Sequence, residues 1–362
     1  MSNVTRSVTI FGPSNTFRSG ISYYVRRLGQ ALQYDGGITV RYVLFKDMLP
    51  RFLFPGKTRV ERFSDSFIPF PYSTIDWWNP LSYIASILKA NRSDSVVFEW
   101  WTGAVGLQYV LAALLLRHKN LILEYHEVID PSENRRVIVS LWDRLVLRVL
   151  SRLVTQGVFH SEYELVSCPR EYKPRVCHII PVGVFDYLGR TPAADCKVPK
   201  VSFTILFFGL IRDYKGLRHL IAAFERCTKP NWRLVIAGEM WDDVPIPYDP
   251  RIHRVAGYLD DDTASRLFSE ASVVAVPYLR ACQSGVAHIA MHYGLPVVAS
   301  DVGGLGETLE QYDGAWLVQP GAVDEIYNAL LAVEDNYDAI YPADVPEPFK
   351  WKNIAKMWRE IL

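Results

Sequence analysis

The chain is poor in cysteine and shows no cysteine framework. Its five cysteines, Cys168, Cys177, Cys196, Cys227 and Cys282, are odd in number, widely spaced and free of any CxxC pair. Neither a disulfide scaffold nor a zinc site is expected, and a reducing cytosol is the expected home. No secretory leader is expected, because "MSNVTRSVTIFG" runs straight into a strand pattern. The longest apolar run, "GAVGLQYVLAALLL" (103–116), falls short of the ~20 residues a membrane span requires and reads as a buried helix. There is no low-complexity tract, dense Lys/Arg cluster or RNP-like aromatic signature, so a disordered tail and a nucleic-acid partner are not expected. His288 and His292 stand one helical turn apart, but no third ligand is near and there is no HExxH. They are read as structural, and no metal site is expected.

Net charge is also absent, with 39 Lys and Arg against 39 Asp and Glu, yet the halves differ. Residues 1–187 carry 22 basic against 16 acidic side chains, or +6, and the rest carry 17 against 23, or −6. A basic first half suits an anionic partner such as a membrane surface or a lipid-linked phosphate. In "ENRRVIVSLWDRLVLRVLSRLV", Arg144, Arg148 and Arg152 form one helical stripe beside Leu and Val. Two readings stand: an interfacial helix receiving a lipid-linked acceptor, or an ordinary surface helix.

What is present is an alternation of strands and helices. At 362 residues the chain suits two domains of about 180 residues. Strand runs are read at 7–12, 39–45, 95–100, 121–126 and 157–161, then at 202–209, 233–239, 254–258, 272–278, 296–301 and 314–318, with helical patterns between. The fold class is α/β: two Rossmann-like, doubly wound parallel sheets facing a central cleft. The expected domains are 1–187, which binds the acceptor, and 188–345, which binds the donor, with a terminal helix at 346–362 packing back on the first. The Pro- and Gly-punctuated segment Asp186 to Lys200 marks the boundary. "TIDWWNPLSYI" (74–84) fits either a loop over the cleft or a buried connection, with the second preferred.

"FFGLIRDYKGLRHLIAAF" (207–224) turns at Gly209 and sets Arg212 and Lys215 at the mouth of a helix. Fixed cations stabilise a departing phosphate without reorganising. Two unit charges ~4 Å apart interact by roughly 4 kcal/mol at an effective dielectric near 20, enough to matter to a barrier.

This block, with "WRLVIAGE", "YLDDDTASRLFSEASVVAVPY", "GLPVVASDVGGLGE" and "PFKWKNIAKMWREIL", resembles in order and spacing the GT-B nucleotide-sugar glycosyltransferases, most of all the retaining family 4. The resemblance covers residues 200–362. It implies that Arg212 and Lys215 clamp the donor diphosphate, and that no metal or other cofactor is needed. The family's Glu-x7-Glu is missing: the positions expected to be Glu are Ala281 and Ile289, or Cys282 and Ala290 in the neighbouring register. "QSGV" stands in its place and resembles a variant of the motif, so Gln283, Ser284, Gly285 and Val286 are expected to meet the donor through side chain and helix N-terminus. Glu307 after "DVGG" matches the donor-side loop, and Glu239 after "VIAG" is placed to meet the base or ribose. For both, a structural role stands beside the functional one.

In the first half, Ser19 and Gly20 resemble the family's glycine loop against the diphosphate or acceptor. His126, ending "LILEYH", resembles the strand-end His that contacts the transferred sugar, and Glu127 would hold its tautomer or meet the acceptor. The resemblance implies a retaining hexosyltransferase of polysaccharide or lipid-linked glycans, cytoplasmic and at the inner membrane face. A nucleotide-sugar 2-epimerase and a non-catalytic binding module are the rivals.

Overall fold

Short apolar runs rich in Val, Ile and Phe form two all-parallel sheets. The computed structural model describes residues 6–13, 20–47, 70–76, 78–126, 137–189 and 202–362. They form two units, Met1–Gly183 with Lys350–Leu362, and Val184–Phe349.

The first unit holds β1 (Ser7–Pro13), β2 (Thr39–Asp47), β3 (Tyr72–Asp76), β4 (Ser95–Trp100), β5 (Asn120–Tyr125), β6 (Gln156–Phe159) and β7 (Val176–Ile179). They pair in the order β3-β2-β1-β4-β5-β6-β7. Its helices are α1 (Gly20–Tyr34), α2 (Pro80–Ala90), α3 (Gly106–Leu115), α4 (Val137–Leu153) and α5 (Glu162–Ser167). The 74–84 segment, read from sequence as a loop or, by preference, a buried connection, holds the end of strand β3 and the start of α2. Tyr72 and the alternate residue Thr74 face outward at the sheet edge while Ile75 packs inward, and Asn79 caps α2 through the Leu81 N–H. Strand β7, at the other edge and partly exposed, likewise escapes a pattern reading.

The run 103–116 is helical in α3 but only half buried, which corrects the expectation. Tyr109, Ala112 and Ala113 pack inward, while Leu107, Leu111, Leu114 and Leu115 are exposed. The neighbouring helices do the same, with Leu81, Ile84 and Leu88 exposed on α2 and Leu141, Trp142, Leu145 and Val149 on α4. Among the described residues no helix is long and apolar enough to cross a membrane.

Helix α11 (Trp351–Ile361) belongs to the first unit and packs on α1, burying Trp351, Ile354, Ala355 and Trp358. Its last carbonyls, which no helical N–H can reach, are met by side chains. Asn120 Nδ2 donates to Ile361 O at 2.8 Å, Ser95 Oγ to Leu362 O at 3.0 Å and Arg6 Nη1 to Arg359 O at 2.6 Å.

The second unit holds β8 (Phe203–Phe208), β9 (Trp232–Gly238), β10 (Ile252–Ala256), β11 (Val273–Val276), β12 (Val297–Ser300) and β13 (Ala315–Val318), ordered β10-β9-β8-β11-β12-β13. Helices α6 (Leu217–Glu225), α7 (Asp261–Glu270), α8 (Gly285–Tyr293), α9 (Gly303–Leu309) and α10 (Val323–Ile340) connect and flank them. In each sheet the chain reverses its direction of travel once, between β1 and β4 and between β8 and β11. Such a switch point leaves a crevice at the carboxyl ends of the strands, the place where open α/β sheets take ligands.

Trp358 is fully buried on α11, the helix that packs on α1. Trp358→Ala is expected to destabilise the first unit by about 3–5 kcal/mol. Amide hydrogen exchange would show protection lost in β1 and β4 while the strands of the second unit keep theirs.

Candidate active site

In the second unit the strand-to-helix turn after β8 is fixed by two glycines. Gly209 has φ 103°, and a Cβ there would lie 3.4 Å from Lys215 Nζ and 3.7 Å from Val286 Cγ2. Gly216 has φ 69°, and a side chain would collide with the Pro277 carbonyl oxygen that follows β11. The turn Asp213–Lys215 is thereby pressed onto the far side of the switch point. Lys215 Nζ sits 5.2 Å from the centre of the Tyr278 ring, and among the described residues it forms no ion pair. Its ammonium, the bare backbone of Gly209 and Val286 in the first turn of α8 therefore lie together.

Arg212 stands beside this group. Its guanidinium lies over Trp241 at 5.3 Å and Tyr214 at 5.9 Å, and its Nε is 3.6 Å from Asp242 Oδ2 without a hydrogen bond. The pair is long and partly exposed, and Asp242 already accepts the Asp213 N–H at 2.9 Å. Such pairs contribute about 0–1 kcal/mol, so an incoming phosphate can displace this one.

Ser284 caps α8, accepting from the Ala287 N–H at 3.4 Å, and Gly285 is small because Phe185 occupies the space a Cβ would need. Gln283 Oε1 accepts from Thr308 Oγ1 at 3.2 Å, which ties this loop to α9, and its Nε2 is buried without a partner. Glu239 follows β9 with one carboxylate oxygen buried and unpartnered, and Glu307 is half buried in α9. Ile289, where the second motif glutamate was sought, points into the core.

Sequence reasoning missed the centre of the first unit. Glu99 on β4 and Glu124 on β5 are register partners in adjacent parallel strands, so their side chains leave on the same face. Two residues beyond Glu124, His126 faces the same way, as does His160 two beyond Val158, the partner of Glu124 on β6. Tyr24 of α1 closes the group, donating to Glu124 Oε1 at 2.5 Å. His126 Nε2 and Glu99 Oε2 are 2.7 Å apart, and His160 Nδ1 donates to Ile180 O at 2.9 Å. Both glutamates are fully buried. Burial pushes the Glu99 carboxyl up to about 8, and burial together with Glu99 raises Glu124 well above the carboxylate range. Burial lowers His126. Donor atoms of Glu124, His126 and His160 lie within 4.8 Å of one another, a spacing an ion would accept. Tyr24 and Glu99 already engage Glu124 Oε1 and His126 Nε2, so we read the centre of this group as a proton network.

Residues 202–336 match the family model of glycosyl transferases group 1. A stretch of 167 residues is 34% identical to an uncharacterized glycosyltransferase of Methanocaldococcus jannaschii, and spans 42% of this chain and 42% of that protein. Over 98% of both chains the structure is similar to sucrose-phosphate synthase from Thermosynechococcus elongatus, with TM-score 0.67 and 19% identity. The fold is GT-B. HepE of Anabaena, solved with UDP and glucose, is similar over 98% of this chain and 96% of its own, with TM-score 0.64 and 16% identity.

Of the site residues expected from sequence, the second unit gathers Gly209, Lys215 and Val286, with Arg212, Gln283, Ser284 and Gly285 on the adjoining turns. Gly20 opens α1 and is exposed, while Ser19 and Glu127 lie outside the described residues. His288 is structural in this GT-B chain: it is buried between Phe185 and Phe349, with neither ring nitrogen hydrogen-bonded. Burial drives it down to about 3 from an ordinary 6.5. Between those values the unfolded chain takes up a proton that the folded unit refuses. Stability is therefore lost as pH falls, by about 1.4 kcal/mol per pH unit at most. His288→Phe is expected to flatten this acid limb in thermal melts run from neutral to acid pH.

Proposed function

We propose that the protein is a glycosyltransferase that moves a hexosyl group from a nucleotide diphosphate sugar to a glycan or lipid-linked acceptor with retention of configuration. The observation that carries this reading is the Lys215 ammonium held at the β8/β11 switch point, over Gly209 and beside the N-terminus of α8. A departing diphosphate there would meet a cation, the partial positive charge of a helix end and a backbone with no side chain in the way. Arg212 adds the second charge. With two fixed cations neutralising the leaving group, this reading needs no metal. His126 is the proposed sugar contact. HepE has been solved in complex with UDP and glucose and with UDP-glucose, which makes UDP-glucose the first donor to test.

Acceptor delivery from a cytoplasmic, anionic membrane surface belongs to the same reading. The outward stripes of α2, α3 and α4 are apolar and contiguous, since α3 packs against both neighbours. Exposed Arg144, Arg148 and Arg152 run beside them, and Asp143, the one carboxylate of these three helices, turns towards Gly103. Apolar side chains flanked by arginines suit the headgroup boundary of an anionic bilayer.

Lys215→Ala should leave the melting curve intact and lower turnover by about 10²–10³-fold, as removal of a transition-state donor does. Assays with radiolabelled donor and product analysis check this. Sugar released or epimerised at full rate without acceptor would replace transfer by the epimerase reading. Sedimentation with vesicles containing phosphatidylglycerol should fall at least about tenfold for Leu111→Glu/Leu145→Glu, and unchanged sedimentation would remove the membrane from the account.

A further inference from the structure

Two carboxyl groups that meet histidines but, among the described residues, no Lys or Arg lie buried side by side in the first unit, and their oxygens can be accounted for one at a time. Glu124 Oε1 accepts from Tyr24, and Glu99 Oε2 faces His126 Nε2 at 2.7 Å. The remaining oxygens, Glu99 Oε1 and Glu124 Oε2, are buried and find no donor. They belong to register partners on adjacent parallel strands, whose side chains leave on the same face. One proton placed on Glu124 Oε2 satisfies both orphans.

We infer that Glu99 and Glu124 form a proton-sharing pair that sets the tautomer of His126, fixing its Nδ1–H as an outward hydrogen-bond donor. With one proton on Glu124, one between Glu99 Oε2 and His126 Nε2, and one on Nδ1, every group is satisfied and the cluster carries no net charge. Whether the second proton sits on Glu99 or on His126, Nδ1 keeps its own. A neutral cluster is what burial demands, since each uncompensated buried charge costs several kcal/mol. Other titratable groups around the pair do not alter the count. Tyr24 from α1, Tyr42 from β2 and Tyr109 from α3 are buried phenols held above their ordinary range, chiefly by burial. Arg26 of α1 acts on Tyr42, whose phenol it lowers against the effect of burial. His160 Nε2 stands 3.7 Å from Glu124 Oε1, and Glu164 Oε2 accepts the His160 N–H at 3.0 Å.

Loss of one proton reverses the arrangement. Ionised Glu99 then accepts from His126 Nε2–H, and Nδ1 becomes an acceptor. Glu99 and Glu124 are thus positioning residues that act through His126. Nδ1 has no partner among the described residues and is offered to a ligand oxygen, under the proposed function an oxygen of the transferred sugar. That last step rests on the transferase reading, and the proton assignment does not.

Ring-nitrogen NMR of the full-length protein labelled with ¹⁵N-histidine reads the tautomer directly. Wild type should show Nδ1–H at neutral pH and pass to Nε2–H above about 8, where Glu99 titrates. Glu99→Gln, whose amide N–H replaces the carboxyl proton, should hold Nδ1–H throughout. Glu124→Gln, which also presents a donor to Glu99, should keep the wild-type transition. An Nε2–H tautomer at neutral pH, the same titration in Glu99→Gln as in wild type, or a metal ion found bound to the cluster by elemental analysis would overturn the assignment. If the tautomers behave as expected and no donor is turned over, the proton pair stands and the transferase reading falls. If transfer is found, the kcat–pH profile of Glu99→Gln should lose the alkaline decline that wild type shows above about 8.

Discussion

The contact on which the second unit's chemistry depends is between a glycine and a carbonyl. Gly216, in the left-handed region, lies so close to the Pro277 carbonyl oxygen that no side chain fits. This brings the turn after β8 against the segment after β11 and spans the switch point of the sheet. Without it, Lys215 would be an exposed lysine on a loop, free to sample solvent. With it, the ammonium is held over Tyr278 and the bare backbone of Gly209. Position here comes from backbone geometry rather than from an opposing carboxylate, which leaves the charge available to a ligand.

Arg212 is held differently, and the difference bears on affinity. Its aromatic neighbours Trp241 and Tyr214 restrain the guanidinium by stacking, which costs little when an anion arrives. Asp242 is near enough to attract it and too far to hydrogen-bond its Nε. A tight, buried carboxylate partner would compete with diphosphate, whereas a long, half-exposed one is screened and yields. The missing Glu-x7-Glu fits the same picture, because Ile289 helps close the core beneath α8 and Gln283 braces the loop against α9. What faces outward at this helix end is then a capped N-terminus and small residues.

The sequence made the strand centres legible because buried parallel strands are continuous apolar runs. Edges were harder: β3 and β7 are short, partly polar and half exposed, so neither period 2 nor an apolar run marks them. The helix at 103–116 was read as buried because its composition is apolar on every side, and composition cannot tell a second helix from a membrane or solvent on the outer face. The cations of "RDYK" were legible since glycines and charges beside a strand end are a local signal. Glu99 and Glu124 were not. Each is a single acid in an apolar strand, "VVFEW" and "LILEY", and only the register that puts them side by side makes them a pair. A lone carboxylate in a buried strand is nonetheless a signal, because it needs a proton or a partner.

The two units treat charge in opposite ways for one electrostatic reason. In the second, Lys215 and Arg212 stay near solvent, where a cation keeps its charge at little cost and can meet a diphosphate. In the first, acids sit where a charge would be costly, and the cost is avoided by keeping their protons. A buried carboxylic acid is a donor that water cannot easily titrate, and it hands that property to the neighbouring imidazole. His126, at the mouth of the group with its side chain 9% exposed, is where the buried protonation becomes visible to a ligand. A histidine on the surface would drift between tautomers near neutral pH. One backed by Glu99 and Glu124 has its orientation set from beneath by their shared proton.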